Sequence, residues 1–213
     1  MIPSRFAIDY PRRCLELLEA FEPTAHKHDL VGTFSVMLAS SILLVPWERA
    51  GNKHPLLQER GGGFQAALNA LKKRKWLEAE FWGDRSPGEW RFSRIMGDPN
   101  DVAGWRDEEG RLSFSREAST MDTRRVKDVF PVMRNALAHG NIVYLDALGQ
   151  ETVGARVDHL AFLSRYEEST EEREAAETYR LVTVREADFL PFVRAWARWV
   201  ADHHDEESSL KVA

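Results

Sequence analysis

Apolar residues at Val126, Val129, Phe130, Met133 and Leu137 recur at spacings of three and four, and this run constrains the fold more than any other stretch. Such spacing lays one stripe of a helix against a core. The helix is expected to start near Thr120 or Asp122, whose side chains can accept from the amides of a first turn. It is expected to stop at Gly140, since a helix C-terminus often needs a left-handed residue and glycine takes that conformation readily. His139 then stands on the last turn, beside a chain reversal, where a side chain can be both fixed and accessible.

Each helical residue advances about 100°, so Asn135 and His139, four apart, lie nearly on one face. Arg134 and His139 are about 140° apart around an ideal helix and do not share one. They can meet if the arginine reaches round, if the last turn deviates, or across a partner molecule. Taken as residues alone, the pair also fits a structural role. Arg134 could bind C-terminal carbonyls or a core acid, with His139 an ordinary C-terminal histidine. For an arbitrary Arg and His at this spacing, that role is the commoner one.

The run Arg134-Asn135-Ala136-Leu137-Ala138-His139 resembles the signature of the HEPN superfamily, an Arg followed by a polar residue and, four to six positions on, a His. In that family the motif lies near the C-terminal end of a core helix in a helical bundle, as it does in this reading. The following Gly140-Asn141-Ile142 and a β-rich segment look like a bacterial HEPN subgroup. The resemblance implies a mainly α fold, a HEPN-like antiparallel helical bundle with a small antiparallel β insertion after the motif helix. It covers the helices; residues 83–118 and 142–184 read as insertions outside it. It also implies a metal-independent endoribonuclease with Arg134, His139 and Asn135 at the site, in toxin–antitoxin or phage defence. RNA is then the substrate, an antitoxin protein a partner, and a homodimer through the motif helix the working form. Two-fold packing would bring Asn135 and Ala138 near the axis, with the small Ala136 and Ala138 allowing close approach. HEPN toxins that receive AMP from a partner carry a Tyr two positions after the His; here Asn141 stands there.

One cysteine, Cys14, excludes a disulfide framework and cysteine-cluster metal sites, and fits a cytoplasmic address. The net charge of −5 means that any RNA contact must be a local basic patch. No metal site or cofactor fingerprint is read in the chain: His203-His204-Asp205-Glu206-Glu207 does not converge on one ion, and Glu59-Arg60-Gly61-Gly62-Gly63 is no phosphate loop.

In chain order, a first helix is expected over 11–21, ended by Glu22-Pro23-Thr24, with His26 and His28 in a polar turn. The apolar stretch over 30–45 is too short for a bilayer, which needs about 20 residues, so no membrane contact is implied. Pro46 should kink or end it, leaving Trp47 and Glu48 in a final turn or the next loop. Residues 51–63 read as a flexible connector. A helix over 64–82 carries Lys72, Lys73, Arg74 and Lys75, the densest positive charge and the expected place for phosphate contacts. Residues 83–118 read as an insertion with short strands or a hairpin, and Asp107-Glu108-Glu109-Gly110 as a turn. Strands are expected over 142–146, 157–166 and 179–184, with a charged loop over 167–177. A last helix over 185–203 precedes a flexible tail from about 205 to 213. The whole reads as a single domain, 1–213.

Set beside the nuclease reading, the acidic charge suits a catalytically silent scaffold that binds a nucleotide, RNA or protein. A purely structural dimer is the third reading.

Overall fold

A computed structural model describes residues 6–51, 63–153, 156–165 and 178–210. The helices among them are α1 (Phe6–Lys27), α2 (Val31–Ile42), α3 (Leu44–Gly51), α4 (Gly63–Leu71), α5 (Val126–His139) and α6 (Glu186–Leu210). The strands are β1 (Trp90–Met96), β2 (Ile142–Leu145), β3 (His159–Arg165) and β4 (Thr178–Arg185). The fold is therefore mixed α/β, with more sheet than a bundle bearing a late β insertion. Two compact units divide it: one built from described residues of 1–74, 78–86 and 190–213, the other from 75–77 and 87–189. No helix among the described residues is long and apolar enough to cross a membrane.

In the first unit α1, α2 and α3 pack together. α1 does not stop at Pro23 and begins before Pro11. An internal proline removes one helical hydrogen bond, but burial of Cys14, Leu18 and Ala25 along one face and an ion pair from Arg194 to Glu22 hold the helix across both. His26 lies in its last turn instead of in a loop. Pro46 acts one turn before itself. It has no N–H for the carbonyl of Ile42, and that carbonyl accepts from Trp196 Nε1 at 3.1 Å instead. The apolar stretch breaks there and resumes as α3, which takes in Trp47 and Glu48. Phe81, Trp82, Phe192 and Trp196 close the core, with ring centroids 5.6 Å apart for Trp82–Phe192 and 5.7 Å for Phe81–Phe192. α6 continues to Leu210, so the tail expected from about residue 205 is helical to that point. The connector expected over 51–63 falls, beyond its ends, outside the described residues, as does the loop over 167–177.

The second unit is a four-stranded antiparallel sheet in the order β1-β4-β3-β2, with α5 packed on β3 and β4. The three strands expected after the motif are present. Residues 83–118, expected to hold short strands or a hairpin, supply β1, and the correction is its place, as the partner of β4 in the same sheet, Trp90 opposite Val184. Those residues complete the sheet and also cover its second face. Trp105 joins Ile95, Leu145, Ala161, Leu163 and Leu181 in one buried cluster, with Phe114 against it. This is why β3 is buried on both sides and reads as a nearly unbroken apolar run. The turn at Asp107 is as expected: its carboxylate accepts from Glu109 N and Arg111 N at 3.0 and 2.8 Å.

His159 sits on that second face, 7% exposed, with neither ring nitrogen hydrogen-bonded. Phe114 meets it edge-on at 4.9 Å. Burial holds it neutral, pushing its pKa down; Arg91 and Arg185 add to this while Glu89 and Asp158 oppose it. An unfolded histidine titrates near about pH 6.5, so as pH falls the unfolded chain binds the proton first. Stability is thus full above that pH and declines below it, until the folded histidine protonates at its own lower value. Between about pH 7.5 and about pH 5.5 the urea midpoint of the native protein should fall more than that of His159→Phe. Parallel declines in the two proteins would assign the acid sensitivity elsewhere.

Candidate active site

α5 begins later than its sequence suggests. Thr120 precedes a single 3₁₀ turn over Met121–Thr123, Arg124 is extended, and the α-helix starts at Val126. Tertiary pairing takes the earlier residues, since Trp76 N donates to Arg124 O at 2.8 Å and Lys75 bridges to Arg125. The helix is capped from within, Asp128 Oδ2 accepting from Arg125 N at 2.9 Å. Its other end is as expected. Gly140 has φ 74°, and Asn141 N reaches back to Ala136 O at 3.0 Å, the closure of a left-handed C-terminal turn. Asn141 O then accepts from Leu163 N at 3.0 Å, tying this end of the helix to β3.

Arg134 and Asn135 are half-buried, while Ala138, His139 and Gly140 are exposed. Arg134 Nη1 donates to Asn135 Oδ1 at 2.7 Å, and Asn135 Nδ2 donates to Ser164 Oγ at 3.0 Å. A guanidinium can only donate, so this chain fixes which way the amide points. In the structure Asn135 orients the arginine. His139 stands clear one turn later, and among the described residues no side chain bonds to it. Ala136 is fully buried because it lies on the apolar stripe. Of the two alanines expected to permit close approach of a second helix, only Ala138 is at the surface.

Ser164 is the member the sequence reading missed. It is buried at the end of β3, and its one signal is a hydroxyl closing an otherwise apolar strand. Nothing local links it to Asn135, 29 residues earlier.

The basic block is not on a helix. α4 ends at Leu71, and the chain tightens through Lys73 N to Ala70 O and Arg74 N to Leu71 O. Four consecutive cations are a poor continuation of a helix when the next residue, Trp76, is drawn into the second unit's core. Lys72 lies over the Trp47 ring at 4.8 Å and its pKa is lowered by burial. Lys73, Arg74 and Lys75 are exposed, with Glu80 3.3 Å from Arg74. Lys75 pairs with Arg125 at the N-terminal end of α5, a 14-residue helix, so about 20 Å of helix separates that point from His139.

No curated protein and no solved structure matches the chain. A family model does: the one described as HEPN pEK499 p136 matches residues 1–207. It takes in residues 83–118 and 142–184, the two stretches that read as insertions. On that match, with the Arg134–His139 motif at the C-terminal end of α5, the chain belongs to the HEPN pEK499 p136 family.

Proposed function

We propose that this chain is a HEPN-type endoribonuclease that cuts RNA without a divalent metal. What supports the reading best is the half-buried Arg134 guanidinium, held by Asn135 and Ser164 one turn before an exposed His139. RNA carries its own nucleophile. His139 takes the proton of a 2′-hydroxyl as general base. The 2′-oxygen bonds to phosphorus, the bond to the 5′-oxygen breaks, and that oxygen is protonated as it leaves. Arg134 balances the charge that builds on the phosphoryl oxygens. The products are a 2′,3′-cyclic phosphate and a 5′-hydroxyl end. Lys73, Arg74 and Lys75, with Lys72 behind them, add phosphate contacts. An antitoxin protein would act by covering the motif. The test is incubation of the purified protein with mixed RNAs in excess EDTA. Cyclic phosphate ends are expected, and cleavage that vanishes in EDTA would overturn the mechanism.

One observation favours a silent scaffold, holding a nucleotide, RNA or protein: among the described residues no side chain orients His139. A homodimer removes the difficulty, because two motif helices about a two-fold axis pool both pairs in one cleft. Ala138 lies beside His139 on the exposed surface and would meet its counterpart. Ala138→Arg should therefore convert a dimer to the 24.4 kDa monomer in light scattering and abolish cleavage. A native protein that runs as a monomer yet still cleaves would end the composite site.

A further inference from the structure

The face of the sheet that carries α5 holds a row of arginines leading to the motif. Arg94 of β1 is opposite Arg180 of β4, which is opposite Ser164 of β3. Residues directly opposite in an antiparallel sheet project to the same face, and Ser164 identifies that face by its bond to Asn135. Neighbouring strands are about 4.8 Å apart, so Arg180 is one spacing and Arg94 two from the serine that fixes Asn135 and, through it, Arg134. Leu163, next to Ser164 on β3, donates its N–H to Asn141 O at 3.0 Å, two residues past His139. The row thus runs across the sheet to the end of α5.

A third guanidinium joins it. Arg124 lies 4.4 Å over the ring of Phe92, next to Arg94 on the same face of β1. Its Nε donates to Thr120 Oγ1 at 3.0 Å. Burial first, and then Arg94 and Arg180 nearby, push its pKa down, against Asp128 and Glu108; an arginine stays charged under such pressure. Like charges directly opposite on a sheet are unfavourable. Glu108, half-exposed, lies 3.7 Å from Arg94 in a solvent-screened contact. The chain keeps three cations together, two of them in register with the residue that anchors its motif.

We propose that Arg94, Arg180 and Arg124 form a phosphate-binding track for single-stranded RNA, which holds the backbone of the strand as it enters the Arg134–His139 site. The proposal rests on the reading that this chain acts on RNA, but binding is separable from cutting. Arginine suits the task because its planar fork matches phosphoryl oxygens. The track differs from Lys73, Arg74 and Lys75 in being fixed by strand register and by an aromatic ring.

The probe is a fluorescent single-stranded RNA in which every sugar is 2′-O-methylated. It keeps the phosphates and lacks the nucleophile, so the unaltered protein binds without cutting. Anisotropy titrations over a range of salt give the slope of log affinity against log salt, to which each phosphate contact of a single strand contributes about 0.7. Arg94→Gln with Arg180→Gln should weaken binding about tenfold and lower the slope by about 1.4. Arg94→Lys with Arg180→Lys should keep most of the slope. If the double glutamine variant does not fold, Arg94→Gln alone, at the sheet edge, should lower the slope by about 0.7.

An unchanged slope overturns the track, as does a lysine variant as defective as the glutamine one. Binding of polyglutamate with none of the RNA overturns it too, in favour of an acidic protein partner. Native protein that binds with the expected slope but leaves unmodified RNA intact sinks the nuclease reading while the track stands. Cleavage with an unchanged slope does the reverse.

Discussion

His139→Ala should lower the rate of RNA cleavage by about 10²- to 10⁴-fold, the range spanned by loss of a general acid–base group. Arg134→Ala should cost about 10²- to 10³-fold, as removal of one charge-stabilising donor does. The two losses should not add, because each residue is useful only when the other is placed. His139 is exposed and Arg134 half-buried, so neither change opens a cavity and circular dichroism should be unaltered. Arg134→Lys is informative. It keeps the charge but has no planar fork with which to bond Asn135 Oδ1 and meet a phosphate together, so its activity should stay nearer the alanine level. Ser164→Ala should lower kcat with less effect on KM, since the serine acts on the arginine through the Asn135 amide. Initial rates on a labelled RNA in excess EDTA provide the measurement. Near-native rates in both alanine variants would remove the motif from the chemistry.

Trp76→Ala should destabilise the protein by roughly 3–5 kcal/mol, the usual cost of emptying a large aromatic site. Trp76 is fully buried. Its ring meets Trp90 edge-on at 4.9 Å and Phe130 at 6.3 Å, and its backbone N–H donates to Arg124 O at 2.8 Å. It thereby joins β1, α5 and the strand-like entry to α5 at one point. Domains are stable by only about 5–15 kcal/mol, so this variant should be marginal at 25 °C. Trp76→Phe should recover much of the loss by refilling the site. As a control, Leu112→Ala, at a position 52% exposed, should fall within about 0.5 kcal/mol of the native protein. Urea midpoints followed by fluorescence and by circular dichroism provide the comparison. A Trp76→Ala cost below about 1 kcal/mol would show that this contact does not organise the unit.

What the chain determined by itself is what depends on neighbours three or four residues away. The stripe from Val126 to Leu137 and the glycine at 140 define α5, its buried face and its end through local sterics alone, and they place His139 at a helix terminus. The apolar strands after the motif and the turn at Asp107 are legible for the same reason. The rest required contacts distant in sequence. β1 is a strand because residues near 180 lie beside it. α4 ends where Trp76 finds a core, α1 crosses two prolines because its face is buried, and Ile42 gives up a helical bond to an indole 154 residues away. At the site, the motif letters were readable, but the groups that act on them were not. Ser164 meets Asn135, and Arg180 and Arg94 follow it on the same face, through strand register alone; a single residue of slip would turn all three to the other face of the sheet.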